Sequence, residues 1–380
     1  MSTNILAGIV FIVVFGIVIL IHEIGHFIVG RLMKVDIEEF GVGIPPKMMT
    51  LFHWKGTEFT LNWLPFGGFN RFKGENSLEK EELSEKGSLP AASPWARLAI
   101  LLAGATMNLL FGIVVYSVII AQIGIPHFDV IRIASVTPNT PASQAGFRAE
   151  DILLEMNGEA IKSDAQLRDI ISTNMDKELS ITLQRGDEII ETKATPLSSR
   201  SAEEGALGFQ PDYFYDESPS FFSTISYGAE ATMRHAQELL LLPARILRGT
   251  ISPEEGRFLG FTSIFKFFQE TVGADLESRV EEPAPSIPSP TSPAPTSSPT
   301  FYTLNLIASL TITLGVFNLM PFPALDGGRI FFILPELIFK KRVPAEFENI
   351  VHGVGMMLLL GFMLYINIMD VINPVVINLP

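Results

Sequence analysis

The sequence predicts an α-helical polytopic membrane protein with about four transmembrane helices, a membrane-associated β element and an inserted α+β domain. Hydrophobic residues make up 47% of the 380 residues, an unusual share for a soluble protein. Four stretches are apolar enough, and at about 20 residues long enough, to cross a bilayer as helices. They cover roughly residues 5–28, 98–124, 303–321 and 350–372. The first lacks the basic start and the cleavage pattern of a signal peptide, so we expect it to be retained.

Charge and cysteine content exclude two classes of partner and site. The chain carries 27 basic and 41 acidic residues, a formal net charge of −14, whereas nucleic-acid binding requires clustered Lys and Arg. We therefore expect no nucleic-acid partner. The chain contains no cysteine, so disulfides and thiolate metal sites are excluded, and a metal ion would be bound by His, Asp or Glu.

Basic residues near the helix ends predict the orientation in the membrane. They cluster between the first two apolar stretches and again before the last one. Both segments should be cytoplasmic, which places the N-terminus, the long middle region and the C-terminus on the opposite side. The basic residues are Arg31, Lys34, Lys47, Lys55, Arg71, Lys73, Lys86 and Arg97 in the first cluster and Lys340, Lys341 and Arg342 in the second.

Shifts in composition predict five regions along the chain. Apolar residues recur every three or four positions over 219–247, which predicts an amphipathic helix at the membrane surface or against the inserted domain. Residues 281–300 are rich in Pro, Ser and Thr and should form an extended, mobile linker. The regions are 1–125 (two transmembrane helices and a β loop), 126–198 (the inserted domain), 199–280 (a polar segment and amphipathic helices), 281–300 (the linker) and 301–380 (two further transmembrane helices).

The loop after the first apolar stretch predicts extended structure. Thr57, Phe59, Leu61 and Trp63 alternate with polar neighbours at the period of a strand. An ordinary cytoplasmic loop is the alternative. The high apolar content of residues 40–75 favours a β element associated with the membrane.

The inserted region, residues 126–198, has the pattern of a small domain of short strands with one helix. Turn signals at Asn157-Gly158 and Arg185-Gly186-Asp187 separate alternating apolar runs. Ser163 is the expected N-cap of the single helix. The succession of strands, with the run PASQAGFRAEDILLEMNG, resembles a PDZ domain. PDZ domains bind extended peptides or chain ends by adding a strand to a sheet edge; a purely structural spacer is the alternative.

The first apolar stretch ends in the motif HEIGH, which contains His22, Glu23 and His26. Residues four apart face the same side of a helix, so both imidazoles can reach one metal ion while Glu23 stays close enough to transfer a proton. This HExxH spacing is typical of zinc proteases. Ionisable groups at membrane depth are costly, and their presence there favours a functional role.

Two imidazoles leave a catalytic zinc ion short of its usual three protein ligands. Asp326 follows an apolar stretch that is interrupted by Pro321 and Pro323, and it precedes Gly327-Gly328. Its carboxylate is the expected third ligand. Capping of the helix that begins at Gly327 is an alternative role, and both roles can coexist.

Several motifs occur together in one order along the chain: HEIGH, LPFGG, GATMN at 104–108 and NLMPFPALDGG. With a PDZ-like domain between the apolar stretches, the chain resembles the site-2 proteases, a family of intramembrane zinc metalloproteases. It is most similar to the bacterial regulator-of-sigma-E protease subgroup. Three features depart from that subgroup: one PDZ-like domain instead of two, the Pro-rich insert, and Ala105 where Pro is frequent.

The resemblance implies a role for five residues. His22, His26 and Asp326 would bind Zn²⁺, Glu23 would be the catalytic base, and Asn318 would help hold the substrate backbone. The implied substrates are single-span membrane proteins already trimmed on the outer side, such as anti-sigma factors or remnant signal peptides. The implied location is the inner membrane of a bacterium, in contact with the lipid bilayer, with the PDZ-like domain outside the cytoplasm.

Two other functions remain open. The chain would be a catalytically silent membrane scaffold if its PDZ-like module only recruits partners, or a soluble-type zinc protease if the HExxH helix lies in water. The buried ionisable set opposes the first, and the apolar run before His22 opposes the second. Gly104 and Asn108 predict close helix approach and an interhelical hydrogen bond rather than catalysis.

Overall fold

The computed structural model describes residues 3–75, 85–198, 205–216, 219–248, 257–280 and 301–374. The predicted linker, residues 281–300, lies outside these described ranges. The chain folds as two compact units: an inserted unit, Ile120–Thr224, and a helical unit formed by Met1–Ile119 with Ile225–Pro380.

Helices and strands alternate along the chain. The helices are α1 (Thr3–Leu32), α2 (Pro94–Ile123), α3 (Pro141–Gln144), α4 (Asp164–Thr173), α5 (Phe221–Leu247), α6 (Phe261–Val280), α7 (Tyr302–Leu319), α8 (Asp326–Phe339) and α9 (Ala345–Ile372). The strands are β1 (Ile37–Trp54), β2 (Thr57–Phe72), β3 (Ile125–Val136), β4 (Ile152–Met156), β5 (Glu159–Ala160), β6 (Leu179–Arg185), β7 (Glu188–Ala194) and β8 (Phe209–Asp216).

Four helices, α1, α2, α7 and α9, are long and apolar enough to cross a membrane. They coincide with the four apolar stretches, so the prediction of four helices of spanning length is confirmed. The helix predicted over 219–247 is α5.

Aromatic and β-branched side chains join α1 to α6 in the helical unit. Phe11, Val14 and Val18 lie on one face of α1 and cluster with the fully buried Phe268 of α6. The rings of Phe11 and Phe268 meet edge to face, with centroids 5.5 Å apart. This packing fixes the first half of α1, and the HEIGH motif follows in the second half of the same helix.

Small residues allow α1, α2 and α7 to approach one another closely. A Cβ atom on Gly25 of α1 would overlap the backbone of α2, and one on Gly112 of α2 would lie 2.7 Å from Cγ1 of Ile312 on α7. Oγ1 of Thr311 on α7 donates a hydrogen bond of 3.2 Å to the carbonyl of Asn108 on α2. Close contacts of this kind associate helices within a membrane.

The two strands β1 and β2 form a hairpin that curls back on itself. Residues 39–42 of β1 pair with 68–71 of β2 and, on their other side, with 58–61. The predicted β element is therefore present. Its outer end exposes large apolar side chains, which suits contact with a membrane or a substrate. They are Met48, Met49, Leu51, Phe52 and Trp54.

The inserted unit contains a sheet in the strand order β7-β6-β4-β3-β8, with β5 paired to β4. Its β8 strand lies outside the predicted range 126–198 and pairs with β3. Ser163 caps α4 as expected, because its side chain accepts a hydrogen bond of 3.1 Å from the backbone N–H of Gln166. The inward side chains of the strands and of α4 form a continuous apolar core.

Candidate metal centre

Two imidazoles and one carboxylate meet inside the helical unit. His22 and His26 lie one turn apart on α1, both are buried, and their Nε2 atoms are 3.1 Å apart. Oδ2 of Asp326 lies 3.1 Å from Nε2 of His22 and 3.3 Å from Nε2 of His26. The structure thus brings together the three residues that the sequence predicts as metal ligands.

Close packing explains the double glycine after Asp326. A Cβ atom on Gly327 would overlap the carbonyl oxygen of Met320, and one on Gly328 would overlap that of Phe322. The loop before α8 folds back over the first turn of the helix, and a side chain at either glycine would separate them. The two glycines therefore fix the position at which α8 begins, and with it the position of Asp326.

Contacts with α9 support the loop before Asp326. The backbone N–H of Ala324 donates a hydrogen bond of 3.0 Å to Nδ1 of His352 on α9. Leu325 is the N-cap of α8, and no side chain caps this helix. The capping role considered for Asp326 is therefore wrong: Asp326 is the first residue of the helix, and its carboxylate contacts the imidazoles.

Two ion pairs hold α8 against its neighbours. Arg329, one turn after Asp326, pairs with Glu75 beyond β2. Arg97 of α2 pairs with Glu336, and only 9% and 17% of these two side chains is exposed. Burial alone would lower the pKa of Arg329, but the Glu75 carboxylate raises it above its ordinary value. Because separating a buried ion pair is costly, the contact between Arg97 and Glu336 restricts movement of α8.

The ring nitrogens that face away from Asp326 also have partners. Nδ1 of His26 lies 2.8 Å from the carbonyl oxygen of Ile100 on α2. A carbonyl oxygen only accepts, so Nδ1 carries the proton of the neutral ring and Nε2 keeps its lone pair. Nδ1 of His22 lies 3.5 Å from the side-chain amide of the fully buried Asn108. Such outer contacts orient histidine ligands in metal sites.

Gly104 of α2 provides the space for both imidazoles. A Cβ atom there would lie 2.6 Å from Cε1 and 2.7 Å from Nε2 of His22, and it would overlap Nε2 of His26. The predicted close approach at Gly104 is therefore an approach to the two rings. No other residue type fits at this position without moving them.

The donor set fits a zinc ion. Two neutral imidazoles with one carboxylate are a usual ligand set for catalytic zinc, with the fourth position left for water. The three donor atoms lie within 4.8 Å of one another. Oδ2 of Asp326 is buried and has no hydrogen bond of normal geometry from a described residue. Three lone pairs directed at one point are stabilised by a cation between them.

Glu23 is half-buried next to His22. Its position is fixed by Asn70, a residue that the sequence motifs did not indicate. Nδ2 of Asn70 on β2 donates hydrogen bonds of 2.8 Å to both Oε2 and the carbonyl oxygen of Glu23. The available signal was a polar residue between Gly68 and Phe72 on an otherwise apolar strand face. The spacing of 47 residues between Glu23 and Asn70 hid the contact.

A model of peptidase family M50 matches residues 10–362, a range that includes the residues of the candidate metal centre. The chain belongs to peptidase family M50. The resemblance to site-2 proteases that the motifs predict is thereby confirmed.

Curated relatives of this M50 peptidase match it over nearly its whole length. A protein of Clostridium perfringens, whose name describes it as a candidate zinc metalloprotease, is 30% identical over 361 residues, which are 95% of this chain and 97% of the relative. Metalloprotease MmpA of Caulobacter vibrioides is 26% identical over 379 residues, which are 93% of this chain and 92% of the relative.

A solved PDZ domain of an SdrC-like protein from Listeria monocytogenes also matches part of the M50 chain. It is 22% identical, and the match covers 22% of this chain and 88% of that domain with a TM-score of 0.20. So low a score does not establish the fold of the inserted unit. The PDZ-like domain stays a prediction.

The remaining candidate residue of this M50 peptidase, Asn318, lies in the last turn of α7. It is half-buried, and its side chain makes no hydrogen bond to another described residue. Its role at the substrate stays a prediction. His53 is exposed and His235 contacts the hydroxyl of Tyr116 at 3.0 Å, so neither approaches the candidate metal centre.

Proposed function

We propose that this M50 peptidase is a zinc-dependent intramembrane endopeptidase that cleaves the transmembrane segments of single-span membrane proteins. The observation that carries the proposal is the convergence of His22, His26 and Asp326 beside Glu23, with both histidines on a helix of spanning length. A cluster of ionisable groups at membrane depth is retained for function. Relatives whose names describe zinc metalloproteases support zinc as the metal.

Each residue of the centre has a separate role in this proposal. His22, His26 and Asp326 bind the metal, and Glu23 is the catalytic base. A bound zinc ion supplies a Lewis acid that makes water nucleophilic near neutral pH and polarises the peptide carbonyl. Glu23 accepts the proton of the attacking water and returns it to the leaving amine as the C–N bond breaks. The Ile100 carbonyl keeps His26 in the tautomer that binds metal.

The β hairpin is the proposed binding element for the substrate backbone. A peptide bond within a helix is shielded by its own hydrogen bonds, so the substrate must be locally extended before attack. An extended segment can add to a sheet edge. Residues 68–71 of the hairpin lie beside α1 at Glu23. Asn318 of α7 is a further proposed contact to the substrate backbone.

Proline substitutions along residues 57–70 test this role, because each removes a backbone N–H from the hairpin. We expect cleavage to fall while zinc stays bound. Unchanged cleavage across the series would rule out strand pairing at the hairpin.

The proposed location is the inner membrane of a bacterium, with the metal centre in the cytoplasmic half of the bilayer. The basic residues after α1 and before α9 support this orientation. The predicted domain at 126–198 would then lie outside the cytoplasm and bind a peptide or chain end of the substrate as a filter or sensor. Trimmed anti-sigma factors and remnant signal peptides are the proposed substrates.

Three samples of the purified full chain test the proposal: wild type, Glu23→Gln and wild type treated with a chelator. The probe is a tagged protein with one apolar helix in detergent micelles. We expect about one zinc ion per wild-type chain from the three-ligand set. Glu23→Gln should keep zinc and lose a factor of about 10²–10⁴ in cleavage rate, and chelation should remove both. Equal cleavage by all three samples would refute the proposal.

A further inference from the structure

We propose that Asn70 is a positioning residue for Glu23, and that it links the proposed catalytic base to the strand that borders the substrate. The inference rests on the proposed role of Glu23 as the base. Asn70 belongs to the β hairpin and has no contact with the three proposed metal ligands among its hydrogen bonds.

The two hydrogen bonds of Asn70 fix the Glu23 side chain relative to its own backbone. Both start at Nδ2 and both measure 2.8 Å, one to Oε2 of the carboxylate and one to the carbonyl oxygen of the same residue. A free glutamate on a helix samples several rotamers. The two hydrogen bonds from Asn70 select one of these rotamers. The carboxylate is therefore held in place before the substrate arrives.

The chemistry of the two groups determines the orientation of the amide. The opposite orientation would place Oδ1 of Asn70 against a carboxylate and a carbonyl, which are both acceptors. In the observed orientation Oδ1 is buried and has no hydrogen-bond partner in the part of the chain that the structure describes. An unpaired buried acceptor costs stability, and an apolar side chain of similar size would avoid that cost. Packing alone therefore does not explain an asparagine here.

The strand that carries Asn70 lies directly on the turn of α1 that carries Glu23. Gly68, Asn70 and Phe72 alternate along β2 and face α1 together. A Cβ atom on Gly68 would lie 3.1 Å from Cγ of Glu23. The ring of Phe72 packs against Gly30, about two helical turns further along α1. Because Asn70 belongs to this strand, a displacement of the strand also displaces the amide that holds the base.

Asn70→Val removes both donors at nearly constant volume and is the first test. With the same micellar single-span probe, we expect kcat to fall by about 10–100-fold, KM to stay within about threefold, and zinc content to stay unchanged, because misplacing a catalytic group by about 1 Å can cost 10²-fold. The matched control is Asn4→Val, the same substitution at an exposed residue near the start of α1 whose side chain contacts Gln269. The control should keep the wild-type kcat. A wild-type kcat in Asn70→Val, or a fall that accompanies lost zinc, would overturn the proposal.

A double variant shows whether Asn70 acts through Glu23. Glu23→Asp shortens the side chain by one methylene and withdraws the carboxylate from Nδ2 of Asn70. Adding Asn70→Val should then change the residual kcat by less than about threefold, as expected for coupled residues. If Asn70→Val lowers kcat by the same factor in the Glu23→Asp background as in wild type, Asn70 acts elsewhere and the inference is contradicted.

A third measurement does not depend on activity. The chain contains no cysteine, so Glu23→Cys with Asn70→Cys introduces the only two thiols. A short bifunctional thiol reagent should join them, as detected by mass spectrometry of the digested protein. Glu23→Cys with Asn4→Cys should remain unlinked, because these positions on α1 are separated by about 28 Å at a rise of 1.5 Å per residue. Absence of the first cross-link overturns the contact. If wild type fails to cleave the probe, the proposed function fails for that probe while the cross-link still decides the contact.

Discussion

The inserted unit and the helical unit are stabilised in different ways. In the inserted unit, Ile131, Ile133, Leu153, Leu179 and Leu183 are buried in one apolar core, and each is at most 2% exposed. In the helical unit the buried set also contains polar groups, and large apolar side chains are exposed on the spanning helices. The first pattern is that of a domain in water, and the second is that of a protein in lipid.

The two units should therefore be sensitive to different kinds of substitution. Apolar burial is non-directional, so a loss in the inserted unit should lower its stability in proportion to the area or volume removed. The buried polar groups of the helical unit each require a particular partner at a particular distance. A small change there should alter the site before it alters the fold.

The largest expected effect is that of Gly104→Ala. The added Cβ would lie 2.6–2.7 Å from two ring atoms of His22 and overlap His26, so both imidazoles must move. Losing the metal would remove several kcal/mol of transition-state stabilisation, and cleavage should fall by about 10³-fold or more. Zinc content measured by atomic absorption should fall in parallel, with the helical content by circular dichroism unchanged.

Gly16→Ala on α1 is the matched control, because a Cβ atom there meets nothing within 4 Å. It makes the same chemical change in a helix of spanning length and should leave both zinc content and cleavage at wild-type values. Full zinc occupancy in Gly104→Ala would show that the rings move at little cost and that the site tolerates change as the apolar core does.

Patterns that repeat along one element made part of this site predictable. The four spanning helices follow from hydropathy, and the shared direction of His22 and His26 follows from the helical period of four residues. Asp326 required a further signal, namely a carboxylate between helix-interrupting prolines and a double glycine. The structure brings that carboxylate to the imidazoles across some 300 residues of chain.

Contacts that join separate elements were not predictable in the same way. The carbonyl of Ile100 that fixes His26 belongs to the backbone, so no residue type reveals it. Asn70 reaches Glu23 only because the hairpin folds against α1. The pair Arg97 and Glu336 is 239 residues apart. Each of these contacts depends on the packing of two elements, which local periodicity does not encode.

The second-largest expected effect is a loss of stability in the inserted unit. Leu183 of β6 is fully buried, and Leu183→Ala should destabilise this unit by about 2–5 kcal/mol through lost burial and the cavity left behind. Ile189→Ala on the adjacent strand β7 is the control, because that side chain is 65% exposed, and its cost should stay within about 0.5 kcal/mol. Hydrogen exchange of β4 and β6 in the full chain should accelerate only for Leu183→Ala. Zinc content should not change, and its loss would show that the metal centre depends on this core.

The smallest expected effect tests a single hydrogen bond. Ser163→Ala removes the side-chain acceptor for the N–H of Gln166 at the start of α4, and loss of such a cap costs about 1 kcal/mol. Ser172→Ala, in the last turn of the same helix, makes the same change where the hydroxyl only donates to the carbonyl of Asp169. Exchange of the first-turn amides of α4 should therefore accelerate in Ser163→Ala more than in Ser172→Ala. The kcat and the zinc content should match wild type in both variants, because the cap acts within one turn of the helix. A changed kcat would mean that local order in the inserted unit affects the metal centre. The contrast between the two units would then fail.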